Sequence, residues 1–484
     1  MNRALRRMAL ACLIMFALLL VNVNWLQAFQ ANSLASRPGN IRTFDQAYQY
    51  QRGAITTADG VTIAKSRPVK GIYKYQRYYP YGPVYAPVTG YDSLYSESGI
   101  ELAENKLLQG TDPSLTVRNL IDLITGKPQQ GATVRLTINS AAQQAAYSAL
   151  KAQGRSGAVV AIDPSTGAIL AMASYPSFNP NGYATFDGTQ LNKTDLRYRN
   201  DTSQPLLNRA INATYPPGST FKIVTSSAAI STGRYNSQST VYAPPSLSLP
   251  GTTNHLINDS GELCGSGHVP LIFAFTLSCN TAFGYLGEKL GSPALKAQAD
   301  KYGFNSSLNI PMQTSPSNFP LVSAPAFAAY SAIGQYNDTV TPLQEAMLSA
   351  TVANGGKLMK PYLVQDVKAP DLTTVQQTAS SQLSQPVSAS AANQIKQMMI
   401  SVVQSPSGTA YAVPGIHSLS IGAKTGTAQN GINNTGLNDA VFTAFSPTSN
   451  PRIAVGVVIQ GGGYGAAAAG PIAVQVIKAY EAHS

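Results

Sequence analysis

The sequence predicts an α+β protein with three parts: an N-terminal membrane anchor, a small β-rich domain, and a larger domain whose helices flank a central antiparallel sheet. Three observations predict it. A basic tip runs into one long apolar segment at the start of the chain. A Gly-, Pro- and Tyr-rich stretch with a hairpin signal follows. Beyond residue 136, strand-like runs stand at both ends with helical runs between them, the order expected of one sheet closed by the two ends of a segment.

The 484 residues suit two or three domains at roughly 150 residues each, and 44% apolar composition excludes wholesale disorder. The net charge of +11 is spread thinly, and the one tight basic cluster is Arg3, Arg6 and Arg7. A nucleic-acid partner is therefore not expected. Four His and three Cys, with no C-x-x-C and no H-x-x-x-H, argue against a zinc centre.

The basic tip precedes an unbroken apolar run of 14 residues, Met8 to Val21, which tolerable residues extend as far as Phe29. That makes about 20 residues, enough to cross a bilayer. Trp25 stands where an interfacial aromatic belongs. No clean A-x-A site follows, so an uncleaved anchor is expected, with a cleaved signal peptide as the alternative. In both cases the positive end stays inside and the remainder is exported. Cys264 and Cys279 then form an even pair in an exported domain, a disulfide candidate, against the alternative of two buried thiols.

Residues 30–135 read as one unit. Ala54–Thr57 and Val61–Ala64 flank Asp59-Gly60, a short-range hairpin signal. Eight tyrosines between Tyr73 and Tyr95, interleaved with Gly and Pro, read as packed loops, with a sugar-stacking surface as the alternative. Gly126-Lys127-Pro128 marks a boundary. In residues 136–484, Ser140–Leu150 reads as a helix capped by Ser140. Gly157–Ile162 and Ala168–Ala173 form a hairpin around Asp163–Gly167. Ser418–Gln429, Ala440–Phe445 and Arg452–Gln460 read as strands, and Ala466–Ala482 as a closing helix.

Three local features carry chemistry. In Tyr215-Pro216-Pro217-Gly218-Ser219-Thr220-Phe221-Lys222, the prolines and glycine stop what precedes, and a helix follows. Ser219 and Lys222 then share one face, where a lysine with its pKa lowered by burial can take the serine proton. Alone this pattern is weak, because a serine before a helix is usually a cap. Ser278-Cys279-Asn280 sits between helical runs at Leu271–Leu277 and Thr281–Leu290, where a linking turn is the plain alternative. Lys424-Thr425-Gly426-Thr427 lies in a strand, where glycine permits close approach of a ligand backbone. Gly461–Gly465 imitates a dinucleotide-binding fingerprint, but too little chain follows it for a second βα unit.

In order, the three match the Ser-x-x-Lys, Ser-x-Asn, Lys-Thr-Gly set of penicillin-binding proteins and serine β-lactamases, at spacings of about 60 and about 145 residues. Over nearly its whole length the chain resembles a class B penicillin-binding protein, closest to their actinobacterial PbpA type. The resemblance also rests on Arg37-Pro38-Gly39-Asn40-Ile41-Arg42, Gln51-Arg52-Gly53-Ala54-Ile55, Tyr85–Gly90, Asn208–Ile211, Ile333-Gly334-Gln335, Thr341–Leu343 and Ala353–Gly356. One departure stands out: where many members carry His-Ala-Trp, this chain has Asp439-Ala440-Val441.

The resemblance implies residues 1–29 as tip and anchor, 30–135 as a non-catalytic, dimerisation-like pedestal, and 136–484 as the transpeptidase domain. It implies a serine D,D-transpeptidase that joins the D-Ala-D-Ala end of one peptidoglycan stem peptide to an acceptor amine, releases D-Ala, and is acylated by β-lactams. Ser219 would be the nucleophile and Lys222 its base. Ser278 would relay a proton, and Asn280 would hold the substrate amide. Lys424 and Thr425 would bind the terminal carboxylate beside Gly426 and Thr427, and the N–H groups of Ser219 and Thr427 would form an oxyanion hole. No metal or cofactor is implied. The protein would be a single-pass plasma-membrane protein, its catalytic domain outside, working beside a cell-wall glycosyltransferase. A β-lactamase of the same fold and a catalytically idle β-lactam sensor are the alternatives.

Overall fold

A computed structural model describes residues 3–30, 33–34, 47–429 and 436–483. The Arg37–Arg42 motif lies outside them. Helix α1, Arg3–Trp25, continues through Leu26–Gln30 and buries none of its residues against the rest of the chain. It is apolar on all sides, long enough to cross a membrane, and spans 28 residues, or about 42 Å at 1.5 Å per residue.

The strands that organise the remainder are β1 Ile55–Thr56, β2 Thr62–Pro68, β3 Tyr75–Tyr78, β4 Thr133–Leu136, β5 Gly157–Ile162, β6 Ile169–Tyr175, β7 Val364–Lys368, β8 Thr374–Gln377, β9 Gly422–Ala428, β10 Asp439–Ser446 and β11 Ile453–Ile459. The expected hairpin at Asp59-Gly60 is β1 and β2, paired antiparallel. These strands belong to a six-stranded sheet of order β8-β7-β4-β1-β2-β3. Two of its strands, β7 and β8, come from far along the chain, and Arg135 of β4 pairs with Asp366 of β7 across the junction. The expected boundary at residue 135 falls within β4, and the sheet runs across it.

Several of the tyrosines pack, while Tyr81 and Tyr95 are exposed. Tyr79 and Tyr85 are fully buried, and Tyr91 stacks on Tyr183 at 3.9 Å. Beneath them Glu101 lies between two guanidiniums, 2.7 Å from Arg52 Nε and 2.6 Å from Arg77 Nε. Burial pushes its carboxyl upward, but Arg77 and then Arg52 outweigh this and hold it below its ordinary range. Glu97 lies 3.9 Å from Arg52 and is hydrogen-bonded to Asp92, and burial outweighs Arg52 and pushes it up to about 8.

The second sheet is antiparallel throughout, in the order β9-β10-β11-β5-β6, so the two ends of the segment close it as expected. Alternate residues serve its two faces. Val159 and Ala161 join the core with helices α2, Ser140–Gln153, and α7, Gly470–Glu481. Ala158, Val160 and Ile162 join Leu343 and Met347 of α5, Pro342–Ala353, in a core shared with the first sheet. The helices between are α3, Lys222–Ser231, α4, Asn280–Lys301, and α6, Ala389–Gln404.

Two helix ends differ from expectation. The cap of α2 is Asn139, whose Oδ1 accepts from Ala142 N at 2.9 Å, because the Ser140 hydroxyl is taken by Asp59 of the hairpin turn. The closing helix is broken into Gly465–Ala468 and Gly470–Glu481, since Pro471 lacks the N–H needed to continue and suits a helix start.

Candidate active site

Backbone hydrogen bonds fix the Ser219 segment from behind: Tyr215 and Val340 exchange bonds at 2.9 and 2.8 Å, and Gly218 N donates to Gly334 O at 2.9 Å. Gly218–Phe221 is a 3-10 turn, and α3 begins only at Lys222. Lys222 closes the 3-10 turn and directs its amine to Ser278 and Asn280, while Ser219 faces the cavity. Ser219 makes no capping bond to α3, so its plain reading as a helix cap does not hold.

Leu271–Thr276 ends in the turn that carries the second motif. Ser278 has φ 59, and Cys279 N donates to Ala274 O at 2.8 Å. A non-glycine residue in the left-handed region costs about 1–3 kcal/mol, and such strain clusters at functional sites. Two features hold the turn. Cys264 and Cys279 are disulfide-bonded, with Cα atoms 5.9 Å apart. Asn258 Oδ1 accepts from Thr281 N at 3.0 Å. Both tie the loop around residues 255–264 to the start of α4.

The third motif runs along β9. A Cβ on Gly426 would lie 2.8 Å from Pro217 O, so glycine alone lets this strand press against the Ser219 turn. Thr425 Oγ1 meets Thr409 Oγ1 at 2.7 Å.

The motifs converge on two buried amines. Lys222 Nζ donates to Ser278 O at 2.6 Å and to Asn280 Oδ1 at 2.8 Å, and stands 3.2 Å from Ser278 Oγ. Lys424 Nζ donates to Ser278 Oγ at 2.9 Å and to Thr425 O at 3.0 Å. Phe283 lies under the first amine and Phe275 under the second, at 5.4 and 5.5 Å. Burial, and then the charge of Lys424, hold Lys222 well below its ordinary value. Burial pushes Lys424 down to about 7.

In front of these amines opens a cavity of about 570 Å³, lined by Ser219, Ser278, Asn280, Thr425 and Thr427 among others. Lys222, Lys424 and Gly426 stand behind this wall. Of the two residues implied to bind the carboxylate, Thr425 lines the cavity, and Lys424 Nζ bonds Ser278 Oγ and Thr425 O just behind it. Asp439, at the His-Ala-Trp departure, accepts from Gly461 N at 2.8 Å. Sequence reasoning missed Thr409, Tyr330, Tyr464 and the rim acids Asp259 and Glu262, all of which line the cavity. Tyr464 lies in the Gly461–Gly465 run read as a strand-to-helix turn, and the others sit in no pattern that distinguishes them from ordinary loop or helix residues. Among the described residues no group of three or more His, Cys, Asp or Glu is placed to hold a metal.

The penicillin binding protein transpeptidase domain family matches residues 157–478, and the penicillin binding protein A dimerisation domain family matches residues 52–134. The chain is similar to the peptidoglycan D,D-transpeptidase PbpA of Mycolicibacterium smegmatis, at 41% identity over 99% of both chains. It is 39% identical to that of Mycobacterium tuberculosis, again over 99% of both. Among solved structures it resembles penicillin-binding protein A from M. tuberculosis in its imipenem acyl-enzyme complex, with a TM-score of 0.84 and 39% identity over 90% of this chain and 99% of that one. The penicillin G acyl-enzyme complex gives a TM-score of 0.85 and 38% identity over 89% and 100%. With these matches on a fold that brings all three motifs to one cavity, the chain belongs to the penicillin-binding protein transpeptidase family.

Proposed function

We infer that this protein is a serine D,D-transpeptidase that cross-links peptidoglycan stem peptides through an acyl-enzyme on Ser219. The observation that carries the assignment of residues is the placement of two buried lysine amines on one hydroxyl, Ser278, directly behind the cavity lined by Ser219.

The chemistry follows from proton positions. Lys222, kept neutral by burial, takes the proton of Ser219 as Oγ attacks the carbonyl between the two D-Ala residues. The N–H groups of Ser219 and Thr427 receive the oxyanion. Ser278 passes a proton from Lys222 to the departing amine, D-Ala leaves, and the ester remains on Ser219. An acceptor amine then attacks the ester, loses its proton by the same route, and regenerates the serine. Thr425 and Thr427 meet the terminal carboxylate, with the ammonium of Lys424 one layer behind supplying the charge. Asn280 holds the substrate amide. β-Lactams enter as carboxylate-bearing acylating agents and stop at the ester.

Helix α1 anchors the protein in the plasma membrane with its basic tip inside and the catalytic domain outside. The polymerised glycan strand that bears the stem peptides comes from a membrane glycosyltransferase working beside it. The test is turnover of a soluble D-Ala-D-Ala peptide with an acceptor amine. Released D-Ala and cross-linked product should appear together. Hydrolysis alone, or rapid turnover of penicillin, would sink this reading.

A further inference from the structure

Glu345, on α5, is wholly buried and has no part in the chemistry above. Its Oε1 lies 2.9 Å from Oγ1 of Thr220, the residue after the nucleophile. That hydroxyl is also 2.8 Å from Pro217 O, and a hydroxyl has one hydrogen to give. If Thr220 donates to Pro217 O, which accepts only, the bond to Glu345 must run the other way, from a protonated carboxylic acid to the Thr220 oxygen. The second carboxyl oxygen, Oε2, is buried with no hydrogen-bond partner. A carboxylate would leave that charge uncompensated in an apolar interior. Burial pushes the Glu345 carboxyl up to about 8, in keeping with this count.

The same residue reaches the opposite motif through its backbone. Its carbonyl accepts from Thr443 Oγ1 at 2.6 Å, and Thr443 is the cross-strand partner of Lys424. The close seat of α5 on the sheet needs Gly456, where a Cβ would lie 2.8 Å from that of Glu345. We propose that Glu345 is a positioning residue that, as a neutral carboxylic acid, clamps the Ser219 turn to the strand pair bearing Lys424. The proposal rests on the transpeptidase reading for its kinetic consequence, and on geometry alone for the proton.

Few charges face this group. Strands β5 and β11 are apolar, and β10 carries only Asp439, at its first residue. Lys222 follows the turn, Lys424 lies on β9, Arg209 sits on Arg209–Asn212, and Lys396 is on α6. Ionising Glu345 would place a charge beneath the nucleophile and remove the donated hydrogen, so acylation should fall at alkaline pH.

The experiment compares wild type, Glu345→Gln and Glu345→Leu for acylation by penicillin from about pH 6 to about pH 9. Gln keeps an N–H donor and cannot ionise. The ratio of the Gln variant to wild type should be flat near neutrality and climb above about pH 8, toward tenfold per further pH unit, with the titration of Lys424 cancelling in the ratio. Leu, which lacks the donor and cannot ionise, should acylate about tenfold more slowly than the Gln variant at every pH. The infrared difference between wild type and the Gln variant at neutral pH should show the C=O band of a protonated carboxylic acid, lost on alkalinisation. A flat ratio, or no such band, would overturn the proposal. A wild type that never acylates would instead count against the transpeptidase reading, and the infrared band would still decide the protonation of Glu345.

Discussion

Lys222 and Lys424 direct their amines at one oxygen: Ser278 Oγ is 3.2 Å from the first and 2.9 Å from the second. The pair is buried, and two ammoniums there would repel one another. Lys222 is lowered by burial and then by its neighbour, so it yields its proton first. Ser278 can then accept from the Lys424 ammonium and donate to the free amine of Lys222. One hydroxyl thereby separates a resident charge from a resident base.

The two lysines should fail differently. Lys424→Ala should acylate about 10- to 100-fold more slowly, because the charge held behind Ser278 and Thr425, which draws the carboxylate, is lost. An amidated substrate should show little further loss in that variant. Lys222→Ala should be close to inactive toward acid and amide alike. Burial pushes Lys424 down to about 7; if its ammonium supplies the charge that draws the carboxylate, the preference of wild type for acid over amide should shrink as pH rises through about 7. An undiminished preference in Lys424→Ala would mean the carboxylate sits elsewhere.

Ser219→Ala should abolish labelling by fluorescent penicillin and leave the thermal melt unchanged, since Ser219 makes no capping bond to α3. Labelling that persists would point to a different serine.

Cys264 and Cys279 close a loop with a sequence separation of 15, worth roughly 3 kcal/mol in the chain-entropy account. Denatured, unreduced protein should titrate one thiol, from Cys12, and three after reduction. Reduction should also slow acylation, because Cys279 lies between Ser278 and Asn280. Three thiols without reductant would refute the pairing.

Glu101→Gln should destabilise the protein by about 3–5 kcal/mol, because two buried guanidiniums lose their counter-charge. The pH signs of its neighbourhood oppose one another. Glu101 is held below its unfolded value of 4.5, so its contribution is present above that value and lost as pH falls through the lower folded one. Glu97 is raised to about 8, so its contribution is present below 4.5 and lost as pH rises through about 8. Glu97→Gln should therefore flatten the loss of thermal stability between about pH 4.5 and about pH 8. A melt that falls as steeply across that range in the variant would assign the loss to other groups.

Local pattern carried much of this molecule. The hairpin at 157–173 was legible from β-prone runs around Asp163-Pro164, and the three motifs fell on a turn, a helix junction and a strand, as their spacing suggests. The pairing of β7 with β4 was not, because contacts about 230 residues apart leave no local periodicity. The cap of α2 was misplaced by one residue because Asp59, 81 positions away, competes for the Ser140 hydroxyl. Glu345 was unreadable for a related reason: one acid in a helix looks solvated until the sheet that buries it is assembled.

The sheet that borrows β7 and β8 has a consequence for synthesis. A ribosome delivers β1 to β4 first, and the strand that covers the open edge of β4 follows roughly 230 residues later. During that interval the unpaired N–H and C=O groups of β4 are a template for any passing extended chain. A fragment cut at residue 135 would keep that edge permanently. The first sheet is therefore complete only once the chain has emerged as far as Gln377, well inside the catalytic segment.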